Sequence, residues 1–305
     1  MTVIDEPARD DAPAGTPPAP DATPPDATPP DAPHAGGPSP GALFARALTE
    51  DPAGAEVRFG FTLTDAFQPG RERPRLTARD LFLKQRVGSG TVHGWSETRP
   101  ETEVRAESGM REDTYRFGAA GYAVRPVTAW VRIPGELAGH PDALAHFVDR
   151  RLMVRLGTAE NRALTRDVLD HPGVRSLAWT GSYTEGLLAA YDEIEQSGGT
   201  AHAMMVNPRD YYRELVGSGS LLADLAREQV KVCRHRQVAP GCALVGDFAM
   251  AARLLDAEQS VIKVAEPPPG ALDRTDPGTG TAVCAVVHES VAVQLPTHFF
   301  HVVPG

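Results

Sequence analysis

The sequence predicts an α+β protein, and two patterns carry that reading. A helical period runs from Asp142 through Asn161, where Leu144, Phe147, Val148, Leu152 and Leu156 fall on one face. After it, short strand-like and helix-like runs alternate without the regular spacing of a βαβ repeat. A third observation sets the limit of the folded part: residues 1–40 differ chemically from everything that follows, so the fold is expected to begin near Gly41.

Residues 1–40 contain Pro17-Pro18, Pro24-Pro25 and Pro29-Pro30, and a tandem Asp-Ala-Thr-Pro-Pro that starts at Asp21 and again at Asp26. Proline removes amide donors and restricts the residue before it, which blocks both helix and sheet. With few apolar side chains to bury, this leader is expected to stay extended and disordered. Seven acidic residues stand against Arg9 alone, so the leader holds more than half of the chain's net charge of −10.

Gly41 to Glu50 is expected to form a short amphipathic helix with Leu43, Phe44 and Leu48 on one side. Val57, Phe59, Phe61 and Leu63 alternate with other residues, as in a half-buried strand. From Leu76 to Phe117 the chain is polar, with strand-like patches at Asp80 to Val87 and Glu101 to Arg105 and a break at Gly88-Ser89-Gly90. A hairpin this polar has no core of its own and is expected to lie against something else.

Tyr122 to Ile133 reads as a strand, and Asp142 as the cap of the long helix, which Gly157 is expected to bend. Further on, a helix is expected at Thr184 to Gln196, a strand at Ala203 to Val206, and helices at Pro208 to Val216 and Leu221 to Gln229. Strands follow at Val230 to Val238, Ala243 to Val245 and Ser260 to Val264. Beyond the loop Glu266 to Gly280, a final strand pair covers Thr281 to Leu295 and His298 to Val303. Asn207 suits a helix cap with Pro208 in the first position, where no amide partner is needed.

The composition excludes several classes. A negative chain would repel nucleic acid as a whole. Asp5, Glu6, Asp10 and Asp11 stand where a secretory signal needs positive charge, and no apolar run has membrane-spanning length. Three scattered cysteines, Cys233, Cys242 and Cys284, fit a reducing compartment, so the expected location is the cytoplasm. Gly278-Thr279-Gly280 lacks the Gly-Lys-Ser/Thr that completes a phosphate loop, and Ser182 lacks the second glycine of a nucleophile elbow. Cys233, His235 and Cys242 have no second pair to complete a metal site. Neither catalytic residues, nor metal, nor cofactor is expected.

Four segments carry a resemblance. Met204-Met205-Val206-Asn207-Pro208-Arg209-Asp210-Tyr211-Tyr212 resembles the strand-to-helix segment in the A-domain of tailed-phage major capsid proteins of the Hong Kong 97 type. Ala239-Pro240-Gly241-Cys242-Ala243-Leu244-Val245-Gly246-Asp247-Phe248 is similar to that family's strand and turn. Val286-Val287-His288-Glu289 through Val303 looks like its returning strands, and the helix ending in Gly157-Thr158-Ala159-Glu160-Asn161 like its spine helix.

The resemblance implies a Hong Kong 97-type fold. Residues 1–40 are then a leader, 41–75 an N-terminal arm, 76–118 an extended E-loop, and 119–172 a P-domain with the spine helix. Residues 173–265 form an A-domain, and 266–305 a loop and strands that return to the P-domain. It implies a self-assembling shell subunit, not an enzyme, with at least about sixty copies of itself as partners. A short acidic leader and the lack of a basic cluster favour an encapsulin, a nanocompartment that encloses cargo enzymes, over a tailed-phage capsid. The leader resembles that of the encapsulin group linked to biosynthesis clusters. An enzyme of unfamiliar fold in a small oligomer is the third reading. By position, the resemblance makes Gly217, Ser218, Gly219 and Ser220 the candidate five-fold pore loop. Leu43, Phe44 and Leu48 are the candidates for cargo docking or for anchoring the N-terminal arm.

Overall fold

Helix α1 (Pro40–Glu50) starts where Ser39 can cap it: the Ser39 side chain accepts from the Ala42 amide at 3.1 Å, and Pro40 takes the first turn. The computed structural model describes residues 37–66, 76–88, 90–98, 104–105, 111–112, 116–217, 221–272 and 280–305. All fall in one unit, Gly36–Gly305. The leader expected over residues 1–40 therefore lies mostly outside the described residues.

The alternation through Leu63 predicts one strand, but β1 (Glu56–Phe59) ends earlier and a short helix, α2 (Leu63–Ala66), follows. The cause is polar: the Thr62 hydroxyl donates to Asp256 and the Leu63 amide to Ser260 Oγ at 3.2 Å, which turns the chain off the sheet edge. A single 3₁₀ turn at Arg79–Leu81 leads into β2 (Leu83–Arg86). Next come β3 (Thr91–Thr98), β4 (Val104–Arg105), β5 (Arg111–Glu112) and β6 (Arg116–Ala123). β3 pairs with β6 and β4 with β5, both antiparallel.

β7 (Arg125–Ile133) precedes the long helix, which runs as α3 (Pro141–Phe147), a π turn at Val148–Leu152, and α4 (Met153–Leu169). It reaches further than Asn161. Its cap position is His140, without a side-chain bond; Asp142 sits inside the first turn, where a negative charge suits the helix dipole. The change in hydrogen bonding falls at Val148–Leu152, not at Gly157. That turn carries Asp149, which accepts from the Gly41 amide at 2.7 Å and from Ser39, and so pins the start of α1.

The remaining elements are β8 (Arg175–Trp179), α5 (Tyr183–Gln196), β9 (Ala203–Val206), α6 (Pro208–Asp210) running into a π turn at Tyr211–Val216, and α7 (Leu221–Arg227). Then follow β10 (Lys231–Arg234), β11 (Ala243–Gly246), β12 (Ala252–Val264), β13 (Thr281–Val293) and β14 (Phe299–Pro304). Ser182 caps α5 in a reciprocal box: its side chain accepts from the Glu185 amide, and the Glu185 carboxylate accepts from the Ser182 amide. β12 begins eight residues before the expected Ser260. A bulge between Asp256 and Ser260, with Glu258 at φ 49°, splits its sequence pattern in two.

Two sheets result. In the first the order is β1-β12-β13-β7, with β2 also bonded in parallel to β12. The second runs β10-β9-β11-β14-β8 and mixes parallel and antiparallel pairs. The sequence predicts that the final two strands pair with each other, and they do not. β13 binds β12 and β7, while β14 crosses to lie between β11 and β8. β12, within the segment 173–265, likewise belongs to the first sheet. Crossing is possible because Gly246 lets the Phe299 ring sit where a Cβ would be.

Three apolar clusters hold these layers. Phe44, Leu48, Val131, Leu144, Leu152, Leu156 and Ile262 join α1 and the long helix to the first sheet. Leu187, Ile194, Met204, Val206, Val245 and Phe300 pack α5 on the second sheet. Between the sheets, Leu164, Val168, Met205, Leu244, Phe248, Leu254, Val293 and Phe299 form a shared core. β9 and β11 are buried on both faces, which is why their sequences are continuously apolar.

Candidate functional site

Among the described residues, the β3–β6 ribbon has little of its own chain packed against it. Most of its described positions are exposed, Val92, Ser96, Ala120 and Tyr122 are half-buried, and Glu97 is buried at the root. Trp95 stands opposite Ala119, with Phe117 on the diagonal, so the two rings meet edge to face at 5.5 Å. They remain 42% and 68% exposed, on a surface where aromatic rings are costly to leave in water.

The ribbon is rooted rather than loose. The Glu97 amide donates to the Gln294 carbonyl at 2.7 Å, and the Tyr122 hydroxyl lies 2.9 Å from the Val293 carbonyl and 3.0 Å from that of Trp95. Burial pushes the Tyr122 hydroxyl and the Glu97 carboxyl above their ordinary ranges, with Ser96 and His298 opposing respectively.

Before the ribbon, the chain passes through a buried ionic cluster. Arg79, with its side chain 3% exposed, sends Nη1 to Glu160 and, at 3.1 Å, to Glu289, and Nη2 to Asp256 at 2.8 Å. Its Nε bonds Asp65 at 2.8 Å. Thr64 bridges the network, accepting from Arg79 at 2.8 Å and donating to Glu160 at 2.6 Å. Lys84 closes the rim on Asp65 at 2.6 Å and Asp256 at 3.2 Å. Burial lowers the Arg79 proton affinity, but the acids around it, Glu160 first, outweigh it and keep the guanidinium charged. Asp256 is driven up by burial, yet Thr62, Arg79, the Glu258 amide and Lys84 together hold it below the usual range. Ala78, Leu81 and Phe82 are buried beside Arg79, so the segment expected to open the polar arm at Leu76 is core for its first turn.

The resemblance-bearing segments 204–212 and 239–248 sit together. Asn207 caps α6, accepting from the Arg209 amide at 2.9 Å, while its Nδ2 donates to the Val238 carbonyl at 2.7 Å. Asp210 accepts from the Gly241 amide at 2.7 Å, and β9 pairs with β11. Beside them Arg234 lies over the rings of Tyr211 and Tyr212 and donates to the Tyr212 hydroxyl at 2.6 Å. Gly217 ends that helical stretch; Ser218, Gly219 and Ser220, the rest of the expected pore loop, lie outside the described residues. Phe44 and Leu48 are spent inside the first core, and Leu43 packs against it half-buried.

The geometry offers little for covalent chemistry. Cys233, Cys242 and Cys284 are buried, and burial pushes the Cys242 and Cys284 thiols up, away from the reactive thiolate. Burial lowers His171, His202 and His301. Among the described residues no group of three ligating side chains could hold a metal, and no helix is long and apolar enough to cross a membrane.

Element order, the two sheets and the spanning helix define the Hong Kong 97-type capsid fold in an α+β chain. A virus-like particle from Pyrococcus furiosus superposes with a TM-score of 0.50 at 11% identity, over 75% of this chain and 92% of that one. A structure of Mycobacterium phage Bobi gives 0.49 at 10% identity, over 76% and 91%. The capsid of a native GTA particle gives 0.47 at 12% identity, over 76% and 92%. No family model matches the sequence, and no curated protein does.

Proposed function

We propose that this chain is the subunit of a closed icosahedral shell, and that the shell is an encapsulin nanocompartment. The observation that carries the reading is the β3–β6 ribbon: a rooted, two-stranded arm whose Trp95 and Phe117 pack on each other yet stay 42% and 68% exposed among the described residues. Such an arm gains its burial from a neighbouring copy, and repeated heterologous contacts that close around rotation axes give a finite shell. In this reading β2 to β6 act as the E-loop, the long helix with the first sheet as the P-domain, and the second sheet as the A-domain, with Gly217 at the edge of a five-fold pore. Helix α1, through Phe44 and Leu48, anchors the N-terminal arm and leaves only Leu43 for contact with cargo.

An acidic, proline-rich leader and a net charge of −10 favour a protein cargo over packaged DNA. Light scattering and negative-stain imaging of the chain expressed alone test this. The expected result is hollow, uniform particles of at least about 2 MDa, sixty or more copies of the 32.5 kDa chain, with a protein-only absorbance spectrum. Particles filled with nucleic acid would shift the assignment to a phage capsid. A species of one to four chains would overturn the shell.

A further inference from the structure

Three almost wholly buried carboxyls, Glu160, Asp256 and Glu289 (side chains 2%, 1% and 0% exposed), face one buried cation, Arg79. At the rim Lys84 meets Asp65, Glu258 and, at 3.2 Å, Asp256, and Arg86 bonds Glu258; two rim cations face two rim acids, so Arg79 and the rim together still leave the three buried carboxyls short of positive charge. A buried carboxylate without its own counter-charge is held more cheaply as the neutral acid.

Geometry selects which carboxyl that is. Glu160 has Arg79 and the Thr64 hydroxyl; Asp256 has Arg79, Lys84, the Thr62 hydroxyl and, at 2.7 Å, the Glu258 amide. Glu289 shares Arg79 Nη1 through its Oε2, and no donor among the described residues reaches its Oε1. In the sheet it stands directly opposite Asp256 on one side and Arg125 on the other, and Arg125 is turned away to Asp167.

We propose that Glu289 is a proton-holding latch: its neutral carboxyl seals the joint where residues 62–66 and 78–87 seat on α4 and the first sheet, and its ionisation loosens that joint and the root of the ribbon beyond it. Burial first, and then Glu160, raise Glu289 well above the ordinary carboxyl range, with Arg79 opposing in part. Glu289 also borders a cleft of about 570 Å³ walled by Arg125, Arg166, Asp167, Asp170 and His171, the charged and titratable groups on that side of β13.

The sign follows from linkage. Closed, the joint keeps the proton; open, Glu289 meets water and gives it up in the ordinary range. Opening therefore releases one proton, and the opening constant rises about tenfold per pH unit until Glu289 ionises in the closed form, where it levels off. Asp256 acts in the opposite sense, losing its contribution only as pH falls through its depressed value. His171, lowered by burial, charges on the acid side of neutrality. Asp256 and His171 therefore titrate on the acid side, and a rise above about pH 7 is read as that of Glu289.

Hydrogen exchange on the full chain tests the latch, whatever its state of assembly. The reporters are the Ala78 amide, which donates to Asn161 Oδ1, and the Val87 amide, which donates to the Asp256 carbonyl. After correction for base-catalysed exchange, the native chain should open more with rising pH, by up to about tenfold per unit. Glu289→Gln should be flat over that range, while β9 amides stay unchanged in both. A flat native profile, or one that Glu289→Gln shares, overturns the proposal. Should Glu289→Gln not fold, Glu160→Gln serves: removing the adjacent charge should move the levelling-off to lower pH, and an unmoved plateau overturns the latch.

Discussion

Arg79 shows how far a single residue can organise distant parts of a chain. Its partners lie on α2, α4, β12 and β13, so one guanidinium fastens four elements at the root of the ribbon. Removing it differs in kind from removing an exposed pair such as Arg58 with Glu56, where solvent screens the charge. Arg79→Leu should destabilise the chain by about 3–5 kcal/mol, because three buried carboxyls then lack their cation. A urea unfolding midpoint measures it, and a loss below about 1 kcal/mol would show that the carboxyls hold protons without Arg79's help. In the sequence Arg79 sits among charges that read as an exposed arm, and nothing local marks it as buried. The signal was at the other end: Glu289 is the single acid in the largely apolar strand Thr281–Val293, and a lone acid in such a strand needs a buried partner.

At the scale of elements, legibility followed the range of the forces. The long helix and α5 were readable because their apolar period is local, and Asn207 because a cap needs only the next few residues. β12 read as a shorter strand because its bulge breaks the alternation, and the separation of β13 from β14 was hidden because strand pairing is chosen by tertiary contacts. The ribbon was legible only as a lack: too polar for its own core. Its two aromatic rings give that lack a test. Trp95→Ser with Phe117→Ser should destabilise the isolated chain by only about 1–2 kcal/mol, since Phe117 is 68% and Trp95 42% exposed already. The same double variant should lower the yield of large particles in light scattering. If particles form as before, the rings are not what a neighbouring copy covers; if the chain unfolds, the ribbon supports its own subunit instead.

Across the whole molecule the question is whether the two sheets fold separately. The chain passes between them repeatedly: β9 to β11 belong to the second sheet, β12 and β13 to the first, and β14 returns to the second. The core between them draws Met205, Leu244 and Phe299 from one sheet and Leu254, Val291 and Val293 from the other. The long helix places Leu156 in the first core and Leu164 and Val168 in the shared one. Losing either sheet would strip apolar cover from the other, at about 25 cal/mol per Å² exposed, so neither can open alone without a large cost. Trp130 on β7 and Trp179 on β8 report on the two sheets, and Trp179 is fixed by its Nε1 donating to the Gly241 carbonyl at 3.1 Å. Variants keeping only one of these two tryptophans, with phenylalanine at the other and at Trp95, should each unfold relative to their own circular-dichroism transition at the same urea midpoint. A Trp130 transition separated from the backbone transition would mean that the shared core does not couple the sheets, and that the crossings of the chain, not the packing between the sheets, hold this fold together.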